Sequence, residues 1–483
     1  MRSLLSALPL IALPLISLAA CTTGPDYHGP QDAGAVTPAA GFVRAPETPA
    51  SEVPAAANWW TALGDPVLDT LESRALSANP SLAVAQARIS QARAALRSER
   101  ANSLPKGGAS ALYVHATLPG VDLNSSNSNS GDSSGSGNDS QSLNFYNLGF
   151  DASWEADLWG GKRRGVEAAR AQLGAAEANA ADAMVSLTAE VAQAYVNLRD
   201  RQQRLALAQD ATARQRDMLR LTDQRHAQGT ASALELEQQR NQLEQSDAAL
   251  LPLSAERDAY LNMLATLAGE APGALDAMLA APAPVPLPPA TVAVGDPAAL
   301  LKRRPDIRAA ERQYAAATAK IGVAEAARFP SLSFMGLIGI GGTHPEDVFD
   351  LDKLAAIAMP QLSWNFLDFG RNAARVGQAK GAQEEAAAQY RQAVLSALRD
   401  SEDALSRFGA RRLSVASLAR SRASADRSAA LMRQRFEAGT ATRIQLLDAE
   451  RQSIAAAQSL TQGTAAMTAD YIALQKALGL GWQ

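Results

Sequence analysis

The stretch that most constrains the fold is residues 371–438, which contain no proline and are followed by Gly439-Thr440. A segment of about 70 residues held as one helix is about 100 Å long, several times the length of a typical globular helix. Apolar and small side chains recur through it at alternating spacings of four and three, from Tyr390 to Phe436. This is a heptad seam, and a second seam runs beside it. The sequence therefore predicts one long helix with neighbours on two sides.

The amino terminus has the features of a bacterial secretory signal. Met1-Arg2 precede an apolar run that is too short, and too interrupted by prolines, to cross a membrane as a helix. The run leads into Leu18-Ala19-Ala20-Cys21, a lipobox in which Cys21 would receive a diacylglyceryl group after cleavage. A small-residue cleavage site that happens to precede a cysteine is the alternative. We predict a signal peptide at residues 1–20 and lipidation at Cys21.

The mature chain repeats itself. The string QRFEAGTA, which ends at Ala441, has an earlier counterpart in QRHAQGTA, which ends at Ala231. At the same offset Trp154 matches Trp364. Such self-similarity predicts two copies of one unit. The predicted organisation is a lipidated extended leader (21–56), repeat 1 (57–270), a proline-rich linker (271–295), repeat 2 (296–479) and a short C-terminal end (480–483).

Each copy is predicted to hold the same elements in the same order. A first helix is followed by two strands, the long helix and a return helix, with Gly229 and Gly439 ending the long helices. Hydroxyl side chains just beyond those glycines are available as caps of the return helices. The predicted helices are 65–104, 162–228 and 232–268 in the first copy, and 296–329, 371–438 and 441–478 in the second.

The strand segments alternate apolar and polar residues. They lie near residues 112–118, 146–154, 332–340 and 356–364, and the polar loops 124–142 and 341–352 separate them within each copy. Period-two segments of about ten residues flanked by aromatics are typical of transmembrane β-strands. A soluble hairpin packed on helices is the alternative. Four strands cannot close a barrel, and lipid does not tolerate an open edge, so other copies of the chain must complete the sheet.

Charge and motifs argue against several function classes. With 45 basic and 49 acidic residues the formal net charge is −4, unlike the positive balance of nucleic-acid binders. The histidines are scattered, and neither a nucleophile elbow nor a phosphate-binding glycine loop occurs. Cys21 is the only cysteine, which excludes a cysteine-based metal cluster. We predict that the chain is not an enzyme and carries no cofactor beyond the covalent lipid. The histidines are His28, His115, His226 and His344.

Several strings resemble the TolC-like outer membrane factor family, and within it the lipoprotein branch that serves RND efflux pumps. They are Cys21 with GPDY at 24–27, WW with DPVL at 59–68, RRPDIRAAE at 303–311, PQLSW at 360–364 and DFGR at 368–371. The resemblance implies a mixed α and β fold and a homotrimer in the bacterial outer membrane. In it, a β-barrel with four strands per chain continues into a long periplasmic α-helical barrel.

The same resemblance implies a passive exit duct that docks end-on to a periplasmic adaptor and an inner-membrane RND pump. In this branch an aliphatic residue, an aspartate and an arginine after the second glycine turn close the periplasmic end, and Ile444, Asp448 and Arg451 match them. Gln445 and Ala441 stand where the secretion-linked channel has charged residues, so a gate with two aspartates is not expected here. The helix tips implied as adaptor contacts are Arg225, Gly229, Thr230, Arg435, Gly439 and Thr440.

Two other functions remain open from the sequence. The same fold serves as the outer-membrane duct of type I protein secretion systems, although the lipobox and the string at 303–311 favour the efflux branch. From a different class, a coiled-coil structural lipoprotein without a pore would also contain long heptad helices.

Overall fold

The structure, a computed structural model, describes residues 22–30, 41–44, 57–119, 140–295 and 297–482. The predicted signal peptide, Cys21 and most of the leader lie outside the described residues. The first half of the chain contains α1 (Pro66–Ala78), α2 (Pro80–Ala101), β1 (Lys106–Pro119), β2 (Ser140–Ala156), α3 (Gly161–Ala227) and α4 (Ala233–Leu267).

The second half follows the linker, which contains one short helix, α5 (Asp276–Leu279). The remaining elements are α6 (Pro297–Arg303), α7 (Pro305–Ala326), β3 (Ser331–Gly342), β4 (Leu354–Ser363), α8 (Arg371–Glu437) and α9 (Arg443–Ala477). Among the helices of the described residues, none combines the length and apolar character that crossing a bilayer requires.

The prediction of a single first helix in each half was wrong, because a proline divides it. Asn79, before Pro80, has an extended backbone with ψ 125°, as the residue before a proline prefers. Its side chain then accepts a hydrogen bond from the amide of Ser81 at 2.8 Å and so caps α2. In the second half the break falls between Arg303 and Pro305.

The long helices α3 and α8 each have 67 residues, and the return helices α4 and α9 each have 35. The predicted heptad seam of α8 packs as expected, since Val394, Ala397 and Phe408 are buried. Much of the second seam is exposed, including Leu395 at 51% of its surface. Within this chain, α8 therefore buries much of its first apolar face and only part of its second, where Leu405 is 5% exposed.

The four strands form one antiparallel sheet in the order β1-β2-β3-β4. The two halves of the chain meet at the β2–β3 pair, where Trp154 lies opposite Phe334 and their rings stack at 5.7 Å. Strands β1 and β4 each pair on one side only among the described residues. The sheet thus has two open edges.

The chain divides into two compact units, each built from both halves of the sequence. Of the described residues, the first unit contains 22–29, 92–119, 140–173 and 313–386, and the second contains 30, 41–44, 57–91, 174–295, 297–312 and 387–482. The first unit holds the sheet and the helix ends that adjoin it. The second unit holds the main apolar core, whose fully buried side chains include Tyr195, Leu264 and Leu474. The hydroxyl of Tyr195 donates to Asp65 Oδ2 at 2.6 Å.

The proline-rich linker is fixed to this core rather than extended into solvent. Gln202 Nε2 donates to the carbonyl of Leu279 at 2.7 Å, and Thr468 Oγ1 donates to the carbonyl of Pro286 at the same distance. The linker therefore contacts helices from both halves of the sequence.

Candidate functional site

The turns after the two long helices have nearly identical geometry. Gly229 and Gly439 have φ of +72° and +71°, in the left-handed region that favours glycine. The amides of Thr230 and Thr440 reach back to the carbonyls of Arg225 and Arg435, both at 2.8 Å. This pattern is a Schellman motif, and it ends both long helices in the same way. All six residues predicted as adaptor contacts thus lie in two equivalent tips.

The caps of the return helices come from the second hydroxyl residue of each turn. Ser232 forms a capping box with Glu235, and Thr442 forms one with Gln445. Thr230 and Thr440, which the sequence also offered as caps, instead donate their hydroxyls to the carbonyls at the ends of the long helices.

The three predicted gate residues lie close together just after the second turn. Arg451 Nη2 donates to Asp448 Oδ1 at 2.8 Å within α9, and Gln452 donates to the other carboxylate oxygen at 3.1 Å. Both charged side chains are about half exposed, at 44% for Asp448 and 48% for Arg451. Ile444 is half-buried one turn earlier. In this chain the carboxylate of Asp448 is therefore paired on its own helix.

The predicted gate residues border a groove shared with helices of the first half. The groove has a volume of about 350 Å³. The side formed by α3 and α4 is polar, and there Gln215 Nε2 donates to Gln239 Oε1 at 2.7 Å. Its lining residues are Gln215, Met218, Gln238, Gln239, Gln242, Ile444, Gln445, Asp448 and Arg451. The first turns of α9 thus face α3 and α4 across an open, largely amide-lined surface.

Glu450, which the sequence analysis did not single out, lies between the predicted gate residues Asp448 and Arg451. It is 7% exposed, and its carboxylate is bonded to Arg433 of α8 at 2.6 Å and to Arg214 of α3. Burial acts to raise the pKa of Glu450, but the two arginines outweigh it and hold that pKa below the ordinary value. Glu450 therefore ties α9 to both long helices, on the turn that also carries Asp448 and Arg451.

No cluster of histidine, cysteine, aspartate or glutamate with metal-binding geometry occurs among the described residues. His226 lies in the first tip, where its Nδ1 is 2.9 Å from the carbonyl of Ala231. Its ring contacts the turn itself.

Comparison with known proteins defines the class of this fold. A model of the outer membrane efflux protein family matches residues 71–270 and 297–480. The chain is 32% identical over 487 residues to the pyoverdine export outer membrane protein OpmQ of Pseudomonas aeruginosa, an alignment that covers 100% of this chain and 97% of that protein.

Solved structures agree with this assignment. The outer-membrane channel OprN superposes with a TM-score of 0.82 at 32% identity, covering 96% of this chain and 100% of OprN. The open state of the MtrE outer membrane channel of Neisseria gonorrhoeae superposes with a TM-score of 0.78 at 26% identity, covering 96% of this chain and 99% of MtrE.

The chain belongs to the outer membrane efflux protein family. The predicted resemblance to outer membrane factors is confirmed, and so are the outer-membrane localisation and the role as an outer-membrane channel component of efflux. The helical body with four strands per chain is the fold of such channels. Lipidation of Cys21, the number of subunits and the roles of the gate and tip residues stay predictions.

Proposed function

We propose that this chain is the passive exit duct of a tripartite efflux pump, which receives small molecules at its periplasmic end and releases them outside the cell. The observation that carries the proposal is the union, in one chain, of a membrane-type sheet with two open edges and two helices of about 100 Å. Such helices match the depth of a periplasmic conduit and exceed what a compact domain needs.

The duct is a homotrimer in this proposal. Open strand edges are not stable in lipid, and three chains of four strands close a barrel of 12. Exposed leucines on the long and return helices supply apolar contacts for neighbouring copies, among them Leu413 at 77%, Leu431 at 61% and Leu251 at 72% exposure. The equal lengths of corresponding helices support an internal duplication, which lets six similar hairpins surround one axis.

The membrane anchor and the partners belong to the same proposal. A lipid on Cys21 would add a second attachment to the outer membrane besides the strands. The two glycine tips are equivalent surfaces to which the hairpins of a periplasmic adaptor can dock, and the adaptor connects the duct to an inner-membrane RND pump that supplies the energy.

The gate in this proposal is the start of α9. Three copies of Ile444 narrow the bore, and three copies of Asp448 form an acidic ring beside it. Arg451 holds Asp448 in place at 2.8 Å. Opening requires α9 to move outward from the axis, which draws all three residues away together.

Conductance of the lipidated full-length protein in planar bilayers tests the gate. Asp448→Ala combined with Arg451→Ala should raise single-channel conductance clearly above that of the wild type. Thermal stability should hardly change, because exposed ion pairs contribute about 0.5 kcal/mol or less. The matched control is Glu237→Ala with Arg240→Ala, which removes an exposed pair of the same spacing on α4, 2.7 Å in length.

The control double variant should conduct like the wild type. If the protein inserted into bilayers but neither it nor the Asp448/Arg451 double variant passed current, the duct would be refuted. If both double variants raised conductance equally, the gate would not be located at Asp448 and Arg451.

A further inference from the structure

The first residues after Cys21 occupy a specific cleft within the sheet-bearing unit. The amide of Thr23 donates to the carbonyl of Trp159 at 3.0 Å, and its hydroxyl donates to the same carbonyl at 2.9 Å. Tyr27 packs edge-on against Tyr314 with ring centroids 5.4 Å apart. We call residues 22–27 the amino-terminal segment. Both of its ends are thus held by contacts far away in the sequence.

Arg164 is the centre of this cleft. Its side chain is 5% exposed, and Glu167 orients it through a hydrogen bond of 2.8 Å. The guanidinium donates to the carbonyl of Thr23 at 3.1 Å, the carbonyl of Gly24 at 3.2 Å and Asp26 Oδ1 at 2.6 Å. These bonds use the fork of donors that a guanidinium presents, which a lysine could not reproduce. The arginine also lowers the pKa of the Asp26 carboxyl.

Two glycines let the backbones approach closely. Gly160 has φ +78°, and a Cβ there would lie 2.8 Å from Thr22 Cγ2. A Cβ on Gly322 would lie 2.7 Å from the carbonyl oxygen of Thr23. Side chains at either position would displace the amino-terminal segment, so the cleft is shaped for a peptide backbone.

We propose that this cleft is a docking site for the chain's own mature amino terminus, and that it fixes the lipid anchor beside the C-terminal end of strand β2. The part of this proposal that concerns the lipid rests on the proposed function, because Cys21 lies outside the described residues. Thr22 is the next residue after Cys21 in the sequence. Trp159 and Gly160 lie just beyond Ala156, where β2 ends. A docked segment therefore confines the acyl chains to the place where the strands leave the membrane.

Hydrogen–deuterium exchange on the full-length lipidated protein in detergent tests the docking. In the wild type the amide of Thr23, which donates to the carbonyl of Trp159, should exchange slowly. Arg164→Met should speed the exchange of this amide by about tenfold or more, as expected for local opening. The matched control is Arg163→Met. Arg163 is next to Arg164 in the sequence, is more exposed, and pairs with Asp157 at 3.2 Å. This control should leave exchange of the segment unchanged.

Thr23→Val provides a variant that changes only the segment and spares the rest of the fold. It removes the hydroxyl bonds to Trp159 and Gly322 and should also speed exchange of the segment. If the wild-type segment exchanged like an unstructured peptide, or if Arg164→Met and Thr23→Val both left its exchange unchanged, there would be no docking site. Amide exchange is measured without conduction or efflux, so a negative result for the docking site can be distinguished from a negative result for the proposed duct.

A flexible Gly-Ser spacer of about six residues between Cys21 and Thr22 tests the consequence for the anchor. Exchange of the amino-terminal segment should stay slow, because the cleft is unchanged. The fraction of protein recovered as folded, membrane-inserted oligomer should fall, because the acyl chains no longer enter the membrane beside β2. Full insertion of this spacer variant would overturn the positional role of the dock.

Discussion

Replacing Glu450 by glutamine removes the charge that holds α9 against both long helices. The substitution keeps the size of the side chain and retains one oxygen as an acceptor. It leaves Arg433 of α8 and Arg214 of α3 without the carboxylate that they share. If the gate lies at the start of α9, as we propose, Glu450→Gln should loosen it without altering any residue that faces the bore.

The expected magnitude follows from the exposure of the partners. Arg433 is 57% exposed, so water screens its contact and we assign it no share of the energy. Arg214 is 31% exposed and bonds to a carboxylate that is 8% exposed, so this contact counts as a partly buried, charge-assisted hydrogen bond. Such a bond is worth about 1.5–3 kcal/mol. A loss of about 2 kcal/mol from the closed state raises the ratio of open to closed channels about 30-fold.

Single-channel recording in planar bilayers measures that ratio directly as open probability. The matched control is Asp470→Asn, which removes an ion pair to Arg411 of 3.2 Å, also between α9 and α8. Asp470 lies about 30 Å further along α9 than Glu450, at 1.5 Å per residue. General weakening of the contact between these helices would affect both variants, whereas loosening of the gate affects Glu450→Gln alone.

An open probability of Glu450→Gln equal to that of the wild type would refute the reasoning, provided that Asp448→Ala with Arg451→Ala does open the channel. Equal increases in Glu450→Gln and Asp470→Asn would also refute it, because the effect would then be independent of the distance from the tip.

Three further predictions concern pH and the turns. The pKa of Glu450 lies below its ordinary 4.5, so the stabilisation of the closed state by its carboxylate is complete above pH 4.5 and is lost as the pH falls through the native pKa. Bilayer recordings from pH 7 down to pH 3 should therefore show the wild-type open probability rising only at the acid end. Glu72 is fully buried, neither of its carboxylate oxygens has a hydrogen-bond partner within the part of the chain that the structure describes, and burial raises its pKa well above 4.5. As the pH rises from 4.5 to that raised pKa, the free energy of unfolding should fall by about 1.4 kcal/mol per pH unit because of Glu72. Thermal unfolding of Glu72→Gln, measured over the same pH range, should lack this pH-dependent loss of stability. Gly439→Ala, and equally Gly229→Ala, places a side chain at φ near +70° and should lower the free energy of unfolding by about 1–2 kcal/mol, which denaturant titration measures.

The long helices were predictable because heptad spacing and the absence of proline are local signals. The residues that the seam of α8 assigned to the core, such as Val394 and Phe408, are buried as predicted. The breaks at Pro80 and Pro305 were also visible as prolines, but the apolar pattern continued across them and joined two helices into one. The backbone preference of the residue before proline prevailed over that pattern.

The role of Glu450 could not be read from the sequence, because its two partners lie on different helices. Its contact with Arg214 crosses 236 positions of the chain, and no periodicity relates two such residues. The docking of the amino-terminal segment escaped prediction for a similar reason. Arg164 recognises mainly backbone carbonyls, which every residue possesses, so the place where the segment binds becomes visible only once the fold brings Arg164, Gly160 and Gly322 together.

The two open edges of the sheet have a genetic consequence. In the proposed closed trimer each chain must pair with one neighbour at β1 and with the other at β4, so a chain with one defective edge prevents closure of every trimer that it enters. When such a chain is co-expressed at equal level with the wild type, only about one trimer in eight escapes it. A substitution that blocks strand pairing at β1 or β4 should therefore behave as a dominant allele, whereas a chain that never reaches the membrane should be recessive.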